Sequence, residues 1–153
     1  MKTFFTLLLS GVLVLSAFVG CSSKGGLSGL YPCEGTVTYN GAPVDGASVT
    51  FYPDGGTDAR SAGGRTDARG VFQLTTLKPQ DGVFPGNYTV TIIKYEEYGK
   101  EPPLVMNSEG DMIPSGGRPV RNVLPAKYGT PETSGLTSRI EKRKNTVSFD
   151  LTD

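Results

Sequence analysis

The chain has 153 residues, which is enough for one domain after a targeting segment but not for two. The 15 Lys and Arg side chains balance the 15 Asp and Glu side chains, so no basic excess indicates a nucleic-acid partner. Histidine is absent, which excludes His-dependent zinc sites and the Ser-His-Asp and Cys-His catalytic arrangements.

The N-terminal segment has the pattern of a secretory signal. Lys2 gives a positive start, an apolar run covers 4–18, and small residues at 19–20 precede Cys21. The apolar core is too short for a membrane span of about 20 residues. Its end resembles the lipobox of bacterial lipoproteins, although Phe18 stands where Leu is usual. The resemblance implies that residues 1–20 are removed and that Cys21 is lipidated. The alternative is an ordinary cleaved signal.

The residues after the signal predict a tether. The segment 21–32 is rich in Gly and Ser, and it would hold the folded part at most about 3.3 Å per residue from the membrane. Ser22, in place of Asp, favours the outer membrane by analogy with proteobacterial sorting. With Cys21 acylated, Cys33 has no partner in the chain, so we expect a buried thiol, with an intermolecular disulfide as the alternative.

From residue 33 onwards, alternation of apolar and polar residues predicts strands. Cys33 and Val37 share one face of the first strand, and Asn40-Gly41 is a strong hairpin signal. The second strand is predicted to close at Pro53 and to be followed by a loop over 54–64. Later strands are predicted around 72–74, 88–93, 136–140 and 146–151. No window shows a helical period, so the predicted class is an all-β sandwich.

The segment 96–122 is rich in Pro and Gly and shows little alternation. A connection this long in a compact domain is usually functional or disordered, and here we expect it to be disordered or loosely packed. The segment and its border expose apolar side chains that are candidate partner contacts: Tyr95, Tyr98, Leu104, Val105 and Met106.

Several blocks of the chain resemble a known family. The stretch 35–51 (GTVTYNGAPVDGASVTF), then 66–72 (TDARGVF) and 85–90 (PGNYTV), resemble carboxypeptidase regulatory-like domains, which are relatives of the transthyretin (prealbumin) sandwich. The tail blocks at 124–128, 131–136 and 145–149 are similar to a subgroup common in planctomycete-type lipoproteins. The resemblance implies a single seven- to eight-stranded Greek-key β-sandwich over 33–153. It does not imply catalysis, because the module accompanies the enzyme in carboxypeptidases.

No metal or cofactor is predicted. Four Asp residues are candidate calcium ligands: Asp54 and Asp58 share a Gly-rich loop, and Asp45 and Asp67 lie in turns. Asp is expected in turns for backbone hydrogen bonding alone. Some related sandwiches close a Lys-to-Asn bond, but Asn145 has no candidate Lys on the first strand. The acidic side chains Glu96, Glu97, Glu109 and Asp111 are interpreted as a solvated loop.

The favoured function is an envelope-tethered, non-enzymatic lipoprotein that acts as a structural or protein-binding module. Its predicted partners are the membrane, through the lipid, and an envelope protein or glycan. The alternative is a module that binds a small ligand or glycan through strand-end loops, and an unrecognised hydrolase is third. A basic cluster before the last strand is interpreted as a solvated turn, with contact to anionic lipid headgroups as the alternative: Arg139, Lys142, Arg143 and Lys144.

Overall fold

The computed structural model describes residues 28–55 and 60–153. The predicted signal segment, the lipidation site at Cys21 and the candidate ligand Asp58 therefore lie outside the described residues. The described part is all-β, as predicted from the alternation. Its helical elements are a 3₁₀ turn at Ala126–Gly129 and a single turn, α1, at Pro131–Ser134. No helix in these two ranges is long and apolar enough to cross a membrane.

Twelve strands follow one another along the described residues. In chain order they are β1 (Cys33–Tyr39), β2 (Ala42–Pro43), β3 (Ser48–Pro53), β4 (Ala62–Arg65), β5 (Val71–Gln73), β6 (Gly86–Ile93), β7 (Tyr95–Glu97), β8 (Leu104–Met106), β9 (Met112–Pro114), β10 (Val120–Asn122), β11 (Leu136–Ile140) and β12 (Asn145–Leu151). The hairpin between β1 and β2 turns at Asn40 and Gly41, which both have positive φ (49° and 81°), as the Asn-Gly signal predicts.

Eight of these strands form two four-stranded sheets. In the first sheet, β12 runs parallel to β1 along one edge, and β2 and β5 pair antiparallel to the other edge. In the second sheet the order is β11-β6-β3-β4, and every neighbouring pair is antiparallel. A bridge between Gly63 and Thr75 joins the two sheets where β4 passes the end of β5.

The core lies between the sheets. Phe51 of the second sheet contacts the rings of Phe72 and Phe149 of the first, with centroids 6.4 and 6.0 Å apart. Tyr88 of β6 completes the cluster at 5.8 Å from Phe51, and its hydroxyl donates to the Phe84 carbonyl. Tilted and edge contacts of this kind stabilise aromatic clusters beyond the area that they bury. Of the fourteen other buried hydrophobic side chains in the described residues, six lie on β1, β3, β6 and β12, and the rest come from β4, β11, the 3₁₀ turn and the connecting segments.

The predicted loop over 54–64 is wrong at its end, because β4 begins at Ala62 and pairs with β3. Gly63 and Gly64 have no side chains, so β4 shows no alternation that would reveal it. The structure explains why glycine is present there. A Cβ on Gly64 would lie 2.8 Å from the Gln73 carbonyl oxygen, so the close approach of the two sheets requires glycine.

Cys33 is 3% exposed and shares the buried face of β1 with Val37, as the alternation predicts. Burial raises the pKa of its thiol to about 11, so little reactive thiolate is present at neutral pH.

We expect Cys33→Val to change the free energy of unfolding by less than about 1.5 kcal/mol, because it conserves volume and buries no new polar group. Cys33→Ser is the matched control. It should destabilise by about 1–3 kcal/mol if the hydroxyl finds no partner. Denaturant unfolding measures both values. Fast modification of the native thiol by a thiol reagent would contradict the buried position.

Candidate protein-docking site

The segment between β6 and the 3₁₀ turn is a two-stranded ribbon, which we call the arm (residues 94–123). Near its base β7 pairs with β10, with Tyr95 opposite Asn122, and towards its tip β8 pairs with β9. Two further backbone hydrogen bonds of 2.9 Å continue the ladder, from Tyr98 to Pro119 and from Ser115 to Pro103. The expectation that this segment is disordered or loosely packed is therefore wrong where the ribbon is paired.

The pairing register of the arm changes between its base and its tip. From Tyr98 to Pro103 the first strand takes five steps, whereas its partner takes four from Ser115 to Pro119. One extra residue on one strand is the defining feature of a β-bulge. Gly99, with φ 84°, lies at this interruption. Neither face of β7, β8 or β9 is buried, which is why the arm shows little alternation in the sequence.

The Asn122 side chain helps to hold the two ends of the arm together. The Asn122 amide oxygen accepts hydrogen bonds from the backbone of Lys94 (3.1 Å) and Leu124 (3.2 Å). The Val123 amide donates to the Lys94 carbonyl at 2.9 Å, and Leu124 is buried in the core. The two ends of the arm thus start from one defined point.

Charged side chains add contacts across the base. Arg118 forms a salt bridge of 2.6 Å with Glu97 on the opposite strand, and Arg121 lies over the Tyr98 ring at 5.7 Å. Lys94 lies 2.9 Å from Glu96, and this hydrogen bond lowers the pKa of the Glu96 carboxyl. Exposed pairs of this kind contribute little to stability.

The turn at the tip is shaped by Asn107. Its side-chain oxygen accepts from the backbone amides of Glu109 (2.9 Å) and Asp111 (2.8 Å), and Gly110 takes φ 90°. Asn and Gly are the residues that such turns require. The tip is therefore preformed, and its only charges between 103 and 117 are the carboxylates of Glu109 and Asp111.

The arm carries eight of the ten large hydrophobic side chains that are exposed in the described residues. All five predicted contact residues are exposed: Tyr95 60%, Tyr98 47%, Leu104 57%, Val105 44% and Met106 71%. Sequence reasoning missed Met112, Ile113 and Val120, which are 56%, 43% and 58% exposed. The Asn107–Gly110 turn signal between two apolar triplets would have located the first two.

Both faces of the tip are apolar. Residues directly opposite each other in an antiparallel pair share a face, so Leu104, Met106 and Met112 lie on one face. Val105 and Ile113 lie opposite each other on the other face. The ribbon has only two strands here, so both outer edges also present unpaired backbone groups. A ribbon with apolar faces and open edges is suited to being covered by another molecule.

The other candidate sites are not assembled. Glu96 and Glu97 lie at the base of the arm and Glu109 and Asp111 at its tip, so no carboxylate pair forms between them. Within 28–55 and 60–153, no three Asp, Glu or Cys side chains are grouped to hold a metal ion. The Asn145 amide shapes the turn before β12, donating to the carbonyls of Glu141 and Arg143.

Comparisons with known proteins add no functional argument. No family model matches the chain, and no curated protein matches it. Among solved structures, the chain is similar to a 9R-lipoxygenase from Cyanothece, with 11% sequence identity and a TM-score of 0.37. The similarity covers 80% of this chain but 16% of the lipoxygenase chain. A TM-score this low supports no conclusion about fold or activity.

Proposed function

We propose that this protein is an envelope-tethered, non-enzymatic lipoprotein whose domain presents the arm to a partner protein. The tether would be the lipid on Cys21, placed in the outer membrane. The observation that carries the proposal is the concentration of exposed apolar side chains on an ordered ribbon that contributes nothing to the core. None of the buried apolar residues of the described part lies between 95 and 122.

The resemblance to carboxypeptidase regulatory-like domains supports the architecture in this proposal. The domain is then a Greek-key β-sandwich of seven or eight strands, and the arm is an insertion between β6 and the 3₁₀ turn. Two facing sheets with an aromatic core are compatible with that architecture. The resemblance also supports a non-enzymatic role, because the related module has no catalytic site of its own. The absence of histidine removes the commonest general base.

A protein is the partner that the arm fits best. Its open edges suit an added strand, and its apolar faces suit a groove, which are two common modes of peptide recognition. The acidic tip disfavours an anionic membrane surface and favours a groove bordered by basic side chains. Because the ribbon is hydrogen-bonded before binding, less conformational entropy is lost on association than for a disordered loop.

Photo-cross-linking in intact cells tests this proposal. A photoreactive residue placed at Met106 or at Val105 samples the two faces of the tip, and one placed at Tyr52 samples an exposed aromatic position outside the arm. We expect a discrete protein adduct from at least one arm position and none from Tyr52. Adducts from Tyr52 alone would place the docking surface elsewhere. Adducts of glycan from any position would favour the glycan-binding alternative.

A further inference from the structure

One end of the domain surrounds the point where the chain enters from the tether, and we call it the tether pole (residues 31–34, 73–87 and 139–145). Tyr31 bridges Val83, with a backbone hydrogen bond of 2.9 Å. The backbone N–H of Asn145 donates to the Pro32 carbonyl at 2.9 Å, and Ile140 pairs with Gly86. The entering chain, the start of β6 and the turn before β12 therefore meet at one end.

The arm leaves from the opposite end. Strand β6 begins at the tether pole with Gly86 and ends at Ile93, and Lys94 begins the arm. Seven steps of about 3.3 Å separate the two ends of this strand by roughly 23 Å. At the far end, the Tyr128 hydroxyl donates to the Thr152 carbonyl just beyond β12. The fold thus places the tether and the docking arm at opposite poles.

The tether pole exposes cations that have no acidic partner in the described ranges. These are Lys78, Arg139, Lys142 and Lys144. Lys144 lines a cleft with Pro32 and Gln80, and Arg139 and Lys142 line a second cleft with Pro85. Lys144 therefore lies beside the entering chain, and Arg139 and Lys142 lie beside the start of β6 at the same end of the domain.

The carboxylates at or beside this pole are occupied by other groups. Glu141 forms a salt bridge of 2.6 Å with Arg143, and Asp54 accepts from the Thr89 hydroxyl at 2.8 Å. Glu34 accepts from the Gln73 amide at 3.3 Å. Asp81 accepts from three backbone amides of its own loop. Hydrogen bonds from neutral groups leave a carboxylate charged, so the five cations of the pole stand against the three carboxylates of Glu34, Asp81 and Glu141, and the pole keeps a net positive charge.

An exposed leucine accompanies these cations. Leu77 is 57% exposed beside Lys78, in a loop held by the Asp81 carboxylate. The Leu77 and Lys78 amides donate to one Asp81 oxygen at 3.0 and 2.9 Å, which fixes the loop while its side chains point outward. An apolar side chain next to a basic one is suited to the boundary between lipid headgroups and acyl chains.

We propose that the tether pole rests on anionic lipid headgroups, with Lys142, Lys144, Arg139 and Lys78 contacting the phosphates and Leu77 entering the interface. The inference rests on the proposed lipid anchor at Cys21, which brings this pole to the membrane. Basic residues near an anionic membrane each strengthen binding about fivefold, so they add a second signal to the anchor. In this orientation the arm points away from the bilayer.

The test uses the acylated full-length protein in vesicles of anionic or zwitterionic lipid. A fluorophore is attached through Gln80→Cys at the tether pole or through Ser108→Cys at the arm tip, because buried Cys33 should not react. A quencher on the headgroups reports proximity. On anionic vesicles we expect the Gln80→Cys label to be quenched severalfold more strongly than the Ser108→Cys label. We expect this difference between the labels to be lost in Lys142→Glu/Lys144→Glu. The control Lys100→Glu/Lys127→Glu, away from the pole, should retain it.

Equal quenching of the two labels on anionic vesicles would overturn the proposal. Failure of the anchor is detected separately by labelling with a fatty-acid probe. If the parent chain takes up no probe, or no more than the Cys21→Ala variant does, Cys21 is not acylated. In that case the pole is tested by co-sedimentation of the same charge variants with anionic vesicles. Pelleting that Lys142→Glu/Lys144→Glu weakens by about thirtyfold or more would support the pole, and pelleting that is independent of anionic lipid would overturn it.

Discussion

Replacing Phe51 with alanine is expected to lower the free energy of unfolding by about 3–5 kcal/mol. Phe51 is fully buried and lies within 6.4 Å of three other aromatic rings, two of them on the opposite sheet. Its removal therefore opens a cavity where the two sheets meet. The surrounding rings are held by both sheets and relax only in part, so the loss should lie in the upper range for core truncations.

The neighbouring Tyr52→Ala is the matched control. Tyr52 lies on the other face of β3 and is 39% exposed, so its removal should cost less than about 1 kcal/mol. Urea unfolding of the two variants, with the slope of the transition checked for constancy, gives the comparison. Similar losses in both variants would mean that the contact between the sheets is not the main source of stability.

The strands that could be predicted from the sequence are those with one buried face. Val37 in β1, Phe51 in β3, Val90 in β6 and Phe149 in β12 are inward residues that alternate with polar neighbours. Such a pattern is a direct consequence of burying one side of a pleated strand. Strand β4 could not be predicted because Gly63 and Gly64 carry no side chains and so show no alternation. Glycine is needed there because the backbone of Gln73 in the other sheet lies close to Gly64.

The candidate site was predictable in part. Apolar side chains amid prolines located the segment, but the sequence could not show that it pairs with itself. Met112 and Ile113 become relevant because the ribbon places them opposite Met106 and Val105. The sequence does not reveal this pairing because both faces of the tip are exposed, so β8 and β9 show no alternation. Local sequence patterns also cannot show that the tether and the arm lie at opposite ends of the domain, because this follows from the direction of β6 relative to the entering chain.

Shortening the arm is expected to abolish recovery of the partner protein without destabilising the domain. In the shortened chain the two residues Asn-Gly replace 99–118, so that a type I′ turn joins Tyr98 to Pro119 across their existing hydrogen bond. The change removes no residue of the core, and it closes a shorter loop, which favours folding slightly. Its melting temperature should therefore lie within a few degrees of that of the parent.

The control keeps the full arm and removes only one apolar face, as Leu104→Ser/Met106→Ser/Met112→Ser. These side chains are more than half exposed, so stability should be unchanged within about 1 kcal/mol. A second control, Val105→Ser/Ile113→Ser, removes the opposite face. Loss of partner recovery in one of the two variants would assign the contact to that face, because the backbone edges of the ribbon are the same in both.

The most direct measurement compares the parent and shortened chains in the intact envelope, with cross-linking before solubilisation and with thermal melting of the same purified proteins. If the arm is the docking surface, we expect two similar melting curves and recovery of a partner protein with the parent alone. A shortened chain that melts like the parent and still recovers the same partner would contradict the account, and one that unfolds would show that the arm is part of the structural core.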